Sequence, residues 1–239
     1  VIFPLQGSLG PLGQKFGGAD PNADLKALVD AWWSFNGTPN DSGPNALHLT
    51  PQNAPAYGTG HVYAQAANLV AASSQYFSRP DGTDAALADG NVDYSISLWY
   101  NLTDSNDYQC LVGKYDGASE YLLYLDTSLA RVQTRVDSQN ATHLGADPSC
   151  TLGAWHHYVM VYSSGDTRIR VYIDNVETGS AAVVSTFTQV NRPFSIGRPG
   201  NFNGQYANGL IEAVGKFHAS FDASQRSRLW NGGAGIALY

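Results

Sequence analysis

Paired carboxylates are the first chemistry to look for, because cleaving a glycosidic bond takes two of them facing each other about 5–9 Å apart. The chain has three glutamates, Glu120, Glu177 and Glu212, and none has an acid two residues away. Side chains two apart on a strand share a face, so no strand here carries a catalytic acid pair. Most aspartates stand in turn pairs such as Asp81-Gly82, Asp89-Gly90 and Asp116-Gly117, where a short polar side chain supports its own backbone. His156 and His157 are adjacent and fall on opposite faces of any strand. No G-x-S-x-G elbow, H-E-x-x-H helix or phosphate-cradling glycine loop occurs. The expectation is a protein that is not an enzyme.

Other residues suit binding. The run Asn40-Asp41-Ser42-Gly43-Pro44-Asn45 offers the oxygen ligands that calcium takes. It reads equally as an Asx-type turn made by Asp41 and Asn45. Of fourteen tyrosines, Tyr57, Tyr63, Tyr76, Tyr108 and Tyr115 lie in or near expected loops. Their rings suit sugar faces, and such rings serve packing as readily. Cys110 and Cys150 suffice for one disulfide in an oxidising compartment, or for two buried thiols. Four glycosylation sequons begin at Asn36, Asn40, Asn101 and Asn140.

The elements that must position these residues read as strands. Residues 94–101 alternate, with Tyr94, Ile96, Leu98 and Tyr100 on one face. Residues 155–162 and 168–174 are strands joined by the Ser164-Gly165-Asp166 turn, with Ile169, Val171 and Ile173 facing in. Segments 111–114 and 121–126 form a hairpin, and 31–35, 194–197 and 209–217 are further strands. Residues 221–230 suit one short helix, capped by Asp222 or Ser224 and stopped by Gly232-Gly233. Many short strands with turn signals imply two packed antiparallel sheets.

Composition limits the partners. Only 14% of the 239 residues are charged, the net charge is −7, and the thirteen Lys and Arg are scattered. Nucleic acid is therefore excluded as an expected partner, and no run of ~18 apolar residues spans a membrane. A surface built from Ser, Thr, Asn, Gly and Tyr suits an extracellular protein. Residues 1–26 differ from the rest: the apolar tip Val1, Ile2, Phe3 and Leu5 precedes a glycine-rich run. Leaving each such side chain in water forfeits about 1.5–3 kcal/mol. The arm is thus expected to lie on another copy of the chain, making a self-assembling filament or virion and tail surface subunit, or else to fold back on its own domain. The other reading is a glycan-binding module.

Five segments in order carry a resemblance. Ala31-Trp32-Trp33-Ser34-Phe35 leads into the Asn40–Leu49 loop; Ile96-Ser97-Leu98-Trp99 follows. Then come Trp155-His156-His157-Tyr158-Val159 with Val171-Tyr172-Ile173-Asp174-Asn175, Phe194-Ser195-Ile196-Gly197 with Gly209-Leu210-Ile211-Glu212-Ala213-Val214, and Leu229-Trp230-Asn231-Gly232-Gly233. Together they resemble laminin-G-like domains of the concanavalin A-like lectin and glucanase superfamily, over residues 27–239. The resemblance implies an all-β, antiparallel two-sheet jelly-roll sandwich, preceded here by the extended arm and carrying one short helix near its C-terminus. It also implies a structural calcium ion held by Asp41 and Asn45 with Glu212, which stands where the family carries an aspartate. The family's next acid is Ala213 here.

Overall fold

Strand alternation builds almost the whole molecule. The computed structural model describes residues 20–80, 85–87, 91–104, 108–115, 121–126, 131–136, 139–142, 151–183, 192–200 and 203–239. In chain order a four-residue helix α1 (Ala23–Lys26) precedes β1 (Val29–Trp33), β2 (Thr50–Gln52), β3 (Ala56–Thr59), β4 (Gln65–Leu69) and β5 (Tyr76–Arg79). Then come β6 (Tyr94–Leu102), β7 (Tyr108–Lys114), β8 (Tyr121–Asp126), β9 (Arg131–Val136) and β10 (Gln139–Thr142). The chain continues through β11 (His156–Ser163), β12 (Arg168–Ile173), β13 (Val176–Ala182), β14 (Phe194–Ile196), β15 (Gly209–Phe217) and helix α2 (Ala223–Trp230).

The strands form two sheets. Sheet A runs β13-β12-β11-β6-β15-β4-β3, with β1 also paired to β15; sheet B runs β10-β9-β8-β7-β14-β5-β2. Each pairing among them is antiparallel. This is the expected two-sheet jelly-roll sandwich.

The core lies between the sheets. Tyr94, Ile96, Leu98 and Tyr100 of β6 share it with Tyr158, Met160 and Tyr162 of β11 and with Ile169, Val171 and Ile173 of β12. Leu111, Leu123, Phe194 and Ile196 supply the sheet B side. The alternate residues Trp99, Val159, Val161 and Tyr172 emerge on the other face of sheet A. There they are covered by Leu25 of α1, Phe221, Leu229 of α2 and Leu238. The helix α2 begins where expected: Asp222 accepts the Gln225 amide while the Gln225 side chain accepts the Asp222 amide, a reciprocal cap. It ends at Asn231, in the left-handed region at φ 47°.

The adjacent histidines take opposite faces as expected, but both are buried where one was expected on the surface, because helix α2 and the tail cover the outer face of sheet A. A tight turn holds them. Asp174 and Asn175 have φ of 49° and 65°, the geometry of a hairpin turn whose twist matches its strands. From it the Asp174 carboxylate accepts the His157 amide at 2.9 Å and binds His156 Nδ1 at 2.8 Å. His156 packs on Tyr100 of the core, and His157 packs on Trp99 outside it.

Residues 20–26, read from sequence as the end of the arm, dock on the sandwich. Leu25 is fully buried. Arg228 pairs with Asp24 at 2.6 Å and donates to the Pro21 carbonyl at 2.6 Å. The arm tip, Val1, Ile2, Phe3 and Leu5, lies outside the described residues.

Candidate functional site

The outer face of sheet B carries, among the described residues, a layer of rings and the Arg198 guanidinium. Strand β8 buries Tyr121, Leu123 and Leu125 in the core, so Leu122 and Tyr124 turn the other way. They meet Cys110 of β7, with Tyr108 and Tyr115 packed against them. Tyr108 and Tyr124 lie 5.8 Å apart between ring centroids. On β5, Phe77 points into the core and its neighbour Tyr76 points out. The half-buried rings of Tyr76 and Tyr206 are 6.1 Å apart.

Arg198 packs on one of these rings, that of Tyr76. Its guanidinium carbon sits 4.4 Å from the Tyr76 ring centroid. Nη1 donates to the Tyr76 hydroxyl at 2.8 Å, while Nε and Nη2 both donate to the Gly200 carbonyl, at 3.0 and 2.6 Å. The loop can lie this close only because residue 200 is glycine. Its φ is 41°, and a Cβ there would stand 2.2 Å from the Tyr115 carbonyl. Tyr206 donates to Asn203 Oδ1 at 2.7 Å, and the Cys110 amide donates to the Gln205 carbonyl at 2.8 Å. Beneath the loop, burial holds the Cys110 thiol well above its usual range, with Arg198 pulling it back. The result is a half-exposed shelf of Tyr76, Tyr206 and Arg198, two ring faces and one fixed cation, with Tyr115 beside the Gly200 loop and Tyr108 at the far end of β7.

The sequence-based candidates scatter across the fold. Tyr76 stands on this shelf, and Tyr108 and Tyr115 pack on the neighbouring Cys110 cluster from opposite ends of β7. Tyr57 instead packs on the main core, 6.4 Å from Phe77. Tyr63 accepts from Trp32 Nε1 at 2.9 Å and donates to the Tyr239 carbonyl at 3.2 Å. Burial pushes the hydroxyls of both tyrosines up. Arg198, Tyr124 and Tyr206 were missed. The Arg198-Pro199-Gly200 run directly after the expected strand at 194–197 was the one available signal.

The residues named for calcium do not make one cation site. Asp41 accepts the amides of Trp32 at 2.8 Å, Gly43 at 2.7 Å and Leu47 at 2.8 Å. The Gly43 contact, two residues on, is the Asx-type turn that was the other reading of this loop. Asn45 turns its Nδ2 to the Asp30 carbonyl at 2.8 Å. Glu212 accepts the amides of His61, Val62 and Tyr63 at 2.6, 2.8 and 3.1 Å. Both oxygens of each carboxylate hold main-chain N–H donors, and no His, Cys, Asp and Glu cluster of metal-binding size occurs among the described residues. The donors therefore do not fit the ion.

Of the sequon residues, Asn36 and Asn40 are exposed and Asn101 is half-buried in β6. Asn140 falls in β10, whose side chains lie outside the described residues. Cys110 is a buried free thiol; Cys150 lies outside the described residues. No helix is long and apolar enough to cross a membrane among the described residues.

A jelly roll with one face capped by helix and tail and the other carrying an aromatic shelf belongs to the lectin-like class of sandwiches. The sequence agrees. The laminin-G model described as the concanavalin A-like lectin/glucanases superfamily matches residues 71–225, and the chain belongs to that family. No curated protein sequence matches the chain.

Among solved structures, the chain is similar to domain 4 of AbnA, a GH43 extracellular arabinanase from Geobacillus stearothermophilus, in complex with arabinotriose. They share 22% identity with a TM-score of 0.63, over 83% of this chain and 96% of that one. It is also similar to the binding domain of Paraclostridial Mosquitocidal Protein 1, at 13% identity and a TM-score of 0.70, over 87% of this chain and 53% of that one. A third match is the botulinum neurotoxin serotype D ligand binding domain in complex with N-acetylneuraminic acid, at 8% identity and a TM-score of 0.66, over 87% and 51%. The chain spans about half the length of the two toxin structures. At these identities the likeness is one of fold.

Proposed function

We propose that this is a non-catalytic, extracellular glycan-binding module whose ligand lies on the tyrosine–arginine shelf of sheet B. The observation that carries the reading is the shelf: Tyr76 and Tyr206 present half-exposed rings 6.1 Å apart beside a fixed guanidinium. Sugars offer an apolar face to rings and hydroxyls to neighbouring polar groups, and tyrosine supplies both at small entropic cost. The arabinotriose and N-acetylneuraminic acid held by two similar structures support the same reading. Against catalysis stands the use made of the acids: Glu212 and Asp41 are committed to amides, and Glu177 accepts the Tyr172 hydroxyl at 3.0 Å.

A glycan array tests it. The full chain is expected to bind a subset of oligosaccharides, and Tyr76→Ala or Tyr206→Ala to weaken that binding roughly tenfold, the loss of about 1.4 kcal/mol from one central contact. A flat array overturns the reading, as does binding that both variants leave intact.

Self-assembly is a second reading. Among the described residues β3 ends sheet A, and an end strand presents unpaired main-chain groups to which an extended arm adds. Deleting residues 1–19, which spares the docked Asp20–Lys26, is then expected to abolish large species seen by light scattering or electron microscopy. If the shortened chain assembles as well as the full one, the arm has no such role.

A further inference from the structure

Resting on the glycan-binding reading, we infer that the ligand carries a carboxylate, which Arg198 receives. The argument starts from charge. The chain is acidic overall, at −7, and while Arg168 and Arg226 donate to the neutral Ser180 hydroxyl and Phe221 carbonyl, two guanidinium groups pair with acids: Arg170 with Asp166, and Arg228 with Asp24. Arg198 does not. Its partners are the Gly200 carbonyl, the Tyr76 hydroxyl and the Tyr76 ring, all neutral, and no carboxylate among the described residues lies within ion-pair distance of it.

The donor count points the same way. A guanidinium has five N–H groups in a planar fork. Three are used, which leaves two, one on each terminal nitrogen. Free guanidinium N–H groups are what a carboxylate takes in a charge-assisted pairing.

The group is also held ready. Chelation of one carbonyl by Nε and Nη2, with the ring of Tyr76 beneath, fixes the plane of the fork before any ligand arrives. Little side-chain freedom is then left to lose on binding. The half-exposed setting lets an anion reach it, and the rings of Tyr76 and Tyr206 lie where the sugar bearing that anion would rest. A neutral glycan would use the rings and leave the cation without a counter-charge.

Calorimetric titration with matched pairs separates the two levels of the reading. Oligogalacturonate is set against its methyl ester, and sialyllactose against lactose, with the array covering other acidic glycans and their neutral counterparts. The acidic member of a pair is expected to bind roughly 10- to 100-fold more tightly, the range of a charge-assisted hydrogen-bonded pair, and to weaken as salt rises. Arg198→Gln is expected to erase that preference, and Arg198→Lys to keep part of it, since the charge stays while the fork is lost. Equal binding of acidic and neutral glycans by the full chain overturns the carboxylate inference and leaves the glycan-binding reading standing. So does an equal loss of both in Arg198→Gln, which would make Arg198 only a loop support. Binding of no glycan overturns both.

Discussion

Glu212→Ala is expected to lower the stability of the fold by about 3 kcal/mol, since three amides lose their acceptor and each stranded donor costs roughly 1–3 kcal/mol before water partly repays it. For a chain of this size that is a fall in Tm of roughly 6–12 °C. The carboxyl is fully buried and ties residues 61–63 to the centre of sheet A across about 150 positions of sequence. The tie extends further: His61 Nε2 meets the Gly233 carbonyl at 2.7 Å, and Tyr63 holds Trp32 and Tyr239. Glu212→Gln is expected to lose less, because it keeps one acceptor oxygen but turns an amino group toward an N–H. Burial raises the Glu212 carboxyl while the three amides lower it, and burial wins. Thermal melts with amide exchange at residues 61–63 check the prediction; an alanine variant melting within about 3 °C of the parent contradicts it. EDTA is expected to leave the parent's melting point unchanged, because amides fill the carboxylate. A drop reversed by calcium would reinstate the ion.

Acid is expected to weaken the fold along a slope set by His157. Its ring is completely buried against Trp99 and Trp230, which stack on each other, with Nε2 on the Ser97 hydroxyl at 2.8 Å. Burial lowers its pKa from 6.5 to about 3, only partly opposed by Asp174. The unfolded chain takes up this proton below pH 6.5 while the folded one refuses it until about pH 3. Between those values the unfolded state holds more protons, so stability falls as pH falls, by up to about 1.4 kcal/mol per pH unit. Glu212 acts with the opposite sign, because a raised carboxyl keeps its proton longer in the folded state. The His157 contribution is therefore read as the difference between parent and His157→Gln denaturation curves over pH 3–7. The variant is less stable near neutrality, and its curve is flatter toward acid. Parallel curves, or an imidazole resonance titrating near 6.5 in the native protein, would refute the burial argument.

How far the sequence revealed this molecule depended on whether a residue's partners had a local signature. The alternation of Tyr94, Ile96, Leu98 and Tyr100 placed β6 and its core face correctly, because burial acts on each side chain in turn. The Ser164-Gly165-Asp166 turn and the Asp222 cap were readable because their partners sit within a few residues. Strand β13 was not: Val176–Ala182 is small and polar, and it is a strand because the Asp174-Asn175 turn folds it back on β12. The amide contacts of Glu212 were not readable for a similar reason. Its partners are main-chain amides distant in sequence, and amides leave no mark in the residue alphabet. Of the five tyrosines named for sugar binding, Tyr76, Tyr108 and Tyr115 lie on the outer side of sheet B while Tyr57 and Tyr63 pack against the two larger hydrophobic clusters, since ring type alone does not tell which side of a sheet a residue takes.

The order in which the chain emerges sets when the sandwich can close. Sheet B holds β14 between β7 and β5, and sheet A holds β15 between β6 and β4, with β1 joined to β15 as well. Both keystones come late, after Phe194. Until they arrive, each half-sheet is a separate ribbon with a bare inner edge, and sealing them requires pairing across long stretches of sequence, which is slow. A nascent or truncated chain lacking these strands would expose four edges together, and its main hazard would be adhesion to its neighbours before synthesis ends.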